Sequence, residues 1–210
     1  LGHTVAMLFV LAYFLYPPIQ YQTLFDFHTE SFLIPFLMWA LYFLIEKSMK
    51  GVFISLLLAG LTKEYVPVIL IFFAAYILVF YRKPKAAAAL SILAVAWLWL
   101  NYGVIISSYE FTSLHIYSGY YGGDTALLGT ISAAIAGLFT IDKIGYVALM
   151  LIPLAGLSLL GPEFFALSAP GFAIALLKAS TKYSSVIYHH TAFMLPFLFA
   201  AAVIGFERAV

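Results

Sequence analysis

The 210-residue sequence contains no cysteine, so disulfides and thiolate metal sites are excluded and the redox compartment leaves no trace. It is also poor in charge. Only 9% of its residues are Asp, Glu, Lys or Arg, against roughly 25% in a soluble domain. A fold in water cannot cover its surface with so few polar groups. The formal net charge of +1 leaves no basic stripe to neutralise phosphates, which rules out nucleic acid as a partner. No HxxxH or HxxE spacing occurs, and no internal repeat of 20–50 residues is evident. No charged segment precedes the first apolar run, so that run does not read as a signal peptide. The chain opens on Leu1, close to a hydrophobic stretch. Residues 1–210 are therefore expected to form a single transmembrane domain, an excerpt lacking the N-terminal part of a longer protein.

What is present is hydrophobic. Apolar residues make up 65% of the chain, and the mean hydropathy is +1.06. These values predict an all-α, polytopic transmembrane helix bundle in the cell membrane, with membrane lipid as its main partner. Spanning helices need about 20 apolar residues, and candidates lie at 4–17, 31–46, 86–106, 144–160, 163–178 and 190–206. The stretch 51–81 is apolar but interrupted by Thr62-Lys63-Glu64. Lys47 and Lys50 precede it, and Arg82, Lys83 and Lys85 follow it. Cytoplasmic loops attract Lys and Arg, so both flanks belong on one side. That selects a broken helical hairpin, 51–61 and 65–81, over one long span. The expectation is thus about six spans plus the hairpin. Alternation then puts 18–30, 107–143 and 179–189 on the extracytoplasmic side, with 125–139 a candidate re-entrant or interfacial helix.

This topology brings three polar clusters to the extracytoplasmic side. They are Asp26, His28 and Glu30; Lys63 and Glu64; and Tyr188, His189 and His190. His115 falls on that side too. Ionisable groups at membrane depth are costly and usually mark a site. If FDFHTE is extended, positions 26, 28 and 30 face one way with period 2. That arrangement suits a general base with an orienting partner, or a hard-metal site with one imidazole. The competing reading is an ordinary polar loop in which Thr29, Glu30 or Ser31 caps the helix 31–46 and Pro35 lies in its first turn. Lys63 and Glu64 are adjacent and diverge on a helix, so each needs a partner elsewhere; otherwise they form a surface turn with both charges in water. His189 and His190 offer an acid, a base or a phosphate ligand, or else an interfacial imidazole. The run YSGYYGGD at 117–124 could bring backbone near a ligand and stack a sugar on Tyr120 and Tyr121, although interfacial Tyr is common in any case.

The segments YPPIQYQTLFDFHTESFLIPFLMWALYFL, LLLAGLTKEY and YSSVIYHHTAFMLPFLFAAAVIG resemble an uncharacterised family of prokaryotic multi-pass membrane proteins, the domain of unknown function two thousand and seventy-nine. Members carry Asp-Phe-His-Pro-Glu, Lys-Glu-Asp and a Tyr-His-Tyr-Ser-like run. Here Thr29 replaces the usual Pro, Tyr65 the usual acid, and His190 an aromatic. That family is similar to the GT-C class of integral-membrane glycosyltransferases, which take sugar from a polyprenyl-phosphate donor at the outer face. The resemblance implies a GT-C-like fold and inverting transfer with an external carboxylate as base. It also implies that the class's principal acidic loop lies upstream of Leu1. Asp26, His28, Glu30 and Glu64 become catalytic candidates. Lys63, Tyr120, Tyr121, Tyr188, His189 and His190 become substrate-binding candidates. The metal is left open, with a divalent cation as a possible cofactor. Two other functions compete: a secondary transporter with a broken-helix polar site, and a non-catalytic membrane scaffold.

Overall fold

A computed structural model describes residues 2–24, 26–105, 108, 140–177 and 184–210. Tyr120, Tyr121, His115 and the stretch 125–139 lie outside the described residues, as does the side chain of His189. Among the described residues the protein is all-α. Its helices are α1 (His3–Leu15), α2 (Pro17–Leu24), α3 (Glu30–Ile45), α4 (Met49–Gly60), α5 (Val66–Tyr81), α6 (Pro84–Ile105), α7 (Ile141–Leu151), α8 (Pro162–Leu177) and α9 (Leu195–Ala209).

Proline punctuates most of these boundaries. Tyr16 precedes Pro17, and a residue before proline is pushed out of the α region; it is extended, at φ −69° and ψ 119°. Pro17 and Pro18 then open α2, where a missing N–H costs nothing, and the two helices bend by 48°. The expected loop at 18–30 is thus helical as far as Leu24. Pro84, Pro162 and Pro196 likewise sit at the first or second position of their helices. Pro153 acts the other way. It cannot supply a hydrogen bond inside a helix, so the expected helix 144–160 ends as α7 at Leu151. Short 3₁₀ turns follow at Ile152–Leu154 and Leu157–Leu160, with Ala155 and Gly156 left-handed between them. The last helix begins at Leu195 rather than 190, after a 3₁₀ turn at His189–Thr191.

The expected break in 51–81 falls at Leu61–Tyr65. Its freed carbonyls find donors, as buried helix ends require. Thr62 Oγ1 donates to Ala59 O at 2.7 Å, and Trp97 Nε1 of α6 donates to Gly60 O at 2.9 Å. The α3–α4 and α5–α6 hairpins turn at left-handed Lys47 and Arg82. From the break, α5 follows α9: Tyr65 packs on Phe193, Phe73 on Phe197, and Tyr76 lies in the field of Arg208. The break therefore shares one end of the bundle with the start of α9. The basic turns and Arg208 occupy the other end.

α9 is the core helix; Leu195, Phe197, Leu198, Ala201 and Ala202 are fully buried. Tyr16 packs edge-on against Phe199, and its hydroxyl donates to Met150 O at 2.6 Å, tying α1 to α7. Gly161 and Gly205 let backbone meet backbone. A Cβ on Gly161 would collide with Ala201 O, and one on Gly205 with Leu157 O. Ser158 Oγ donates to Leu198 O at 2.9 Å in the same contact.

The outer surface is apolar. Met7, Leu11 and Phe14 on α1, Leu78 and Val79 on α5, and Ile92, Val95 and Trp99 on α6 are all exposed. Such rows are suited to hydrocarbon rather than water. α6 is long and apolar enough to cross a membrane alone, and α1 with α2 would be a second span if the bent pair is one; α3, α4, α5 and α8 are shorter apolar helices. The last turns of α6, Trp99–Ile105, are π-helical, a geometry frequent near functional sites.

Candidate functional site

The site is built around Glu30, the first residue of α3, which is only 1% exposed. Residues 26–28 have no regular structure and Thr29 forms a turn, so period-2 alternation does not extend to Glu30. Helix geometry turns its carboxylate inward instead. Thr29 makes no side-chain cap, and Pro35 lies inside α3 rather than in its first turn.

A buried carboxylate needs positive partners. Lys63, in the α4–α5 break, places Nζ 3.4 Å from Glu30 Oε1. His28 places Nδ1 3.8 Å from Oε2. Both partners are about one-third exposed (29% and 36%), so the carboxylate lies in a well with the two nitrogens at its mouth. Three hydroxyl or amide groups frame this end of the bundle. Tyr65 follows the Lys-Glu pair and stacks its ring 5.1 Å from Phe193. The residue is partly exposed, yet its hydroxyl is covered and has no hydrogen-bond partner among the described residues. Burial pushes the phenol well above its usual range, and the negative charges of Glu30 and Glu64 push the same way, so it stays a donor. Thr191 is fully buried, with Oγ1 unpartnered among the described residues, on a turn that packs against α2 and α3. Gln22 of α2 donates an Nε2 hydrogen to Ser31 Oγ at 3.1 Å, while its Oε1 is buried without a partner among the described residues. Unpaired buried polar atoms are rare and call for an occupant.

The other candidates fall at different distances from this well. Asp26 is exposed and has no ion-pair or hydrogen-bond partner among the described residues. Glu64 is partly exposed, and its charge acts on Tyr65. Tyr188 and His190 stack at 6.4 Å and 28°, both partly exposed, on the segment leading into the Thr191 turn. No group of three or more His, Asp or Glu among the described residues is arranged to hold a metal ion. Tyr65, Thr191 and Gln22 were not among the sequence candidates. Tyr65 and Thr191 each directly follow a charged or histidine pair, the one signal that pointed to them.

Among the described residues the protein is all-α, with an apolar exterior consistent with membrane insertion and a well-buried, cation-flanked carboxylate at one end. The chain belongs to the family described as predicted membrane protein (DUF2079), whose model matches residues 1–210. No curated protein and no solved structure matches it.

Proposed function

We propose that this chain is the core of a GT-C-like membrane glycosyltransferase, working at the extracytoplasmic face of the cell membrane on a polyprenyl-phosphate-linked sugar. The observation that carries the reading is the Glu30 well. A carboxylate kept from water, with Lys63 and His28 at its mouth, is equipped to take a proton from a hydroxyl that enters. In the reaction the acceptor oxygen bonds to the anomeric carbon, the bond from that carbon to the phosphate oxygen breaks, and the acceptor proton passes to Glu30. Polyprenyl phosphate leaves with the electron pair. Lys63 would shift part of its interaction from Glu30 to the donor phosphate, which raises the basicity of Glu30 only when donor is bound. The protonated Tyr65 hydroxyl would donate to the same phosphate, and His28 would carry the proton out to water. Tyr188, His189 and His190 would border the sugar. Basic turns at the opposite end of the bundle support the orientation, since Lys and Arg favour the cytoplasm. The reading takes the bundle as GT-C-like, with about six spans plus the α4–α5 hairpin.

The test is transfer of labelled sugar from a polyprenyl-phosphate donor by the full-length protein in liposomes, beside Glu30→Gln. Transfer by the parent and its loss in the variant are expected. A second reading has one observation in its favour: the break at Leu61–Tyr65 interrupts an apolar helix beside an ion pair, as secondary transporters do at their binding sites. Absence of transfer with every donor, together with Glu30-dependent uptake of a solute into the same liposomes, would replace the enzyme by a transporter. Absence of both would leave a scaffold.

A further inference from the structure

A second built feature is formed by α7 and the turns that follow it, with no residue shared with the Glu30 well. One face of α7 and the turns that follow it wall a groove of about 770 Å³, lined by Val147, Ala148, Leu151, Leu159 and Leu176. This volume is within the range of roughly 300–1,000 Å³ typical of ligand sites. Its one polar wall is Lys143, which is 7% exposed. The Lys143 Nζ donates to Leu176 O at 2.5 Å, one of the last carbonyls of α8. A helix end leaves such carbonyls open, so the lysine caps α8. An ammonium has three donors, and among the described residues no carboxylate lies within ion-pair distance of it; the neighbouring Asp142 is exposed. The groove opens onto the outer surface, where Ile144, Ile152 and Leu159 are exposed. α8 runs antiparallel to α9, with Gly171 against Phe193 and Met194. Leu176 and Lys143 are therefore at the same end of the bundle as Glu30.

We propose that this groove holds one chain of an anionic phospholipid of the surrounding bilayer, with its phosphate on Lys143. The chemistry is complementary at both ends: a continuous apolar wall for the acyl chain, and one buried cation with spare donors for the headgroup. A zwitterionic lipid offers the same chain but adds its own cation beside the lysine. The site stands independently of sugar transfer, because it uses no residue of the Glu30 well.

The experiment is lipid retention by the full-length protein in nanodiscs, read by native mass spectrometry. Phosphatidylglycerol and phosphatidylcholine of identical chains are the probes. The parent should retain phosphatidylglycerol over phosphatidylcholine by about tenfold, the scale of one charge-assisted hydrogen bond. Lys143→Gln should bring the ratio close to unity, and Lys143→Arg should restore it. Ala148→Trp, which fills the groove, should lower retention of both lipids. Unchanged thermal unfolding of Lys143→Arg and Ala148→Trp separates lost binding from lost fold. A parent with no preference, or a preference that survives both Lys143→Gln and Ala148→Trp, would overturn the proposal. So would a photo-crosslinker at position 148 that reacts with another part of the chain. Displacement of phosphatidylglycerol by polyprenyl phosphate at equal mole fraction would instead assign the groove to a sugar-donor lipid and end the bilayer-lipid assignment.

Discussion

Both ends of the bundle carry a glutamate paired with a cation, and the two pairs differ in every detail. At the end with the basic turns, Arg208 grips Glu163 with both arms, at 2.5 and 3.0 Å, and also donates to Leu160 O at 2.9 Å. This is a planar, bidentate contact between a 49% exposed arginine and a 16% exposed carboxylate. Its donors and acceptors are satisfied, and it staples α8 to α9. At the other end Glu30 is buried more deeply, Lys63 and His28 stand at longer range from it, and among the described residues the covered hydroxyls of Tyr65 and Thr191 lack hydrogen bonds. A pair made for stability closes its geometry. Around Glu30 it is the covered hydroxyls of Tyr65 and Thr191 that stay open among the described residues, which is the mark of groups held for something that arrives.

That contrast can be broken by substitution. The largest effect is expected from Glu30→Gln, which should lower sugar transfer by about 10²–10⁴-fold, the usual contribution of a general base. Its thermal unfolding should hold or rise, because a buried charge is removed with its shape kept; equal losses of transfer and stability would make Glu30 a staple like Glu163. Lys63→Ala comes next. It strands the buried carboxylate and should cost about 2 kcal/mol of stability, less than a fully buried pair because Lys63 is partly in water. Tyr65→Phe should reduce transfer by roughly tenfold, the worth of one hydrogen bond to a charged group, without lowering stability at neutral pH. Its alkaline behaviour has a definite sign. A tyrosine whose folded pKa is raised lends stability below its unfolded pKa of about 10, and this is lost as pH rises toward the folded value. Unfolding above pH 10 should therefore be less steep in the variant than in the parent. Arg208→Ala, at the stapled end, should cost about 0.5–1 kcal/mol and leave transfer unchanged. The smallest effect is expected for exposed Asp26→Asn, within about twofold in transfer. A larger loss there would move the base from Glu30 to Asp26.

Much of the architecture could be read from residue order, for a physical reason. Charge inside an apolar run is so costly that Lys63 and Glu64 mark the α4–α5 break without any packing information. The flanking Lys47 and Arg82 turns then have to lie together. The boundaries that escaped depend on proline context. Pro17 and Pro18 look like loop residues until they are recognised as the start of a helix, and Pro153 sits in a run whose hydropathy continues unbroken. Within the site, Asp26 and Glu30 could not be ranked from spacing, because alternation holds only while the chain is extended, and α3 begins at Glu30. Lys143 carries no signal in the sequence for a related reason. A lone lysine at the start of an apolar helix resembles an interfacial anchor, and only its contact with α8, 33 residues later, reveals a buried head.

The backbone contact at Gly161 and Gly205 bears on how this chain can vary. Most membrane helices tolerate a slipped or inserted residue by rotating a new face toward their neighbours. Here an insertion in α9 would turn the helix by about 100° and present a side chain where Leu157 O now rests on Gly205. The half of α9 nearest the basic turns is thereby fixed in phase against the turn at Leu157–Leu160.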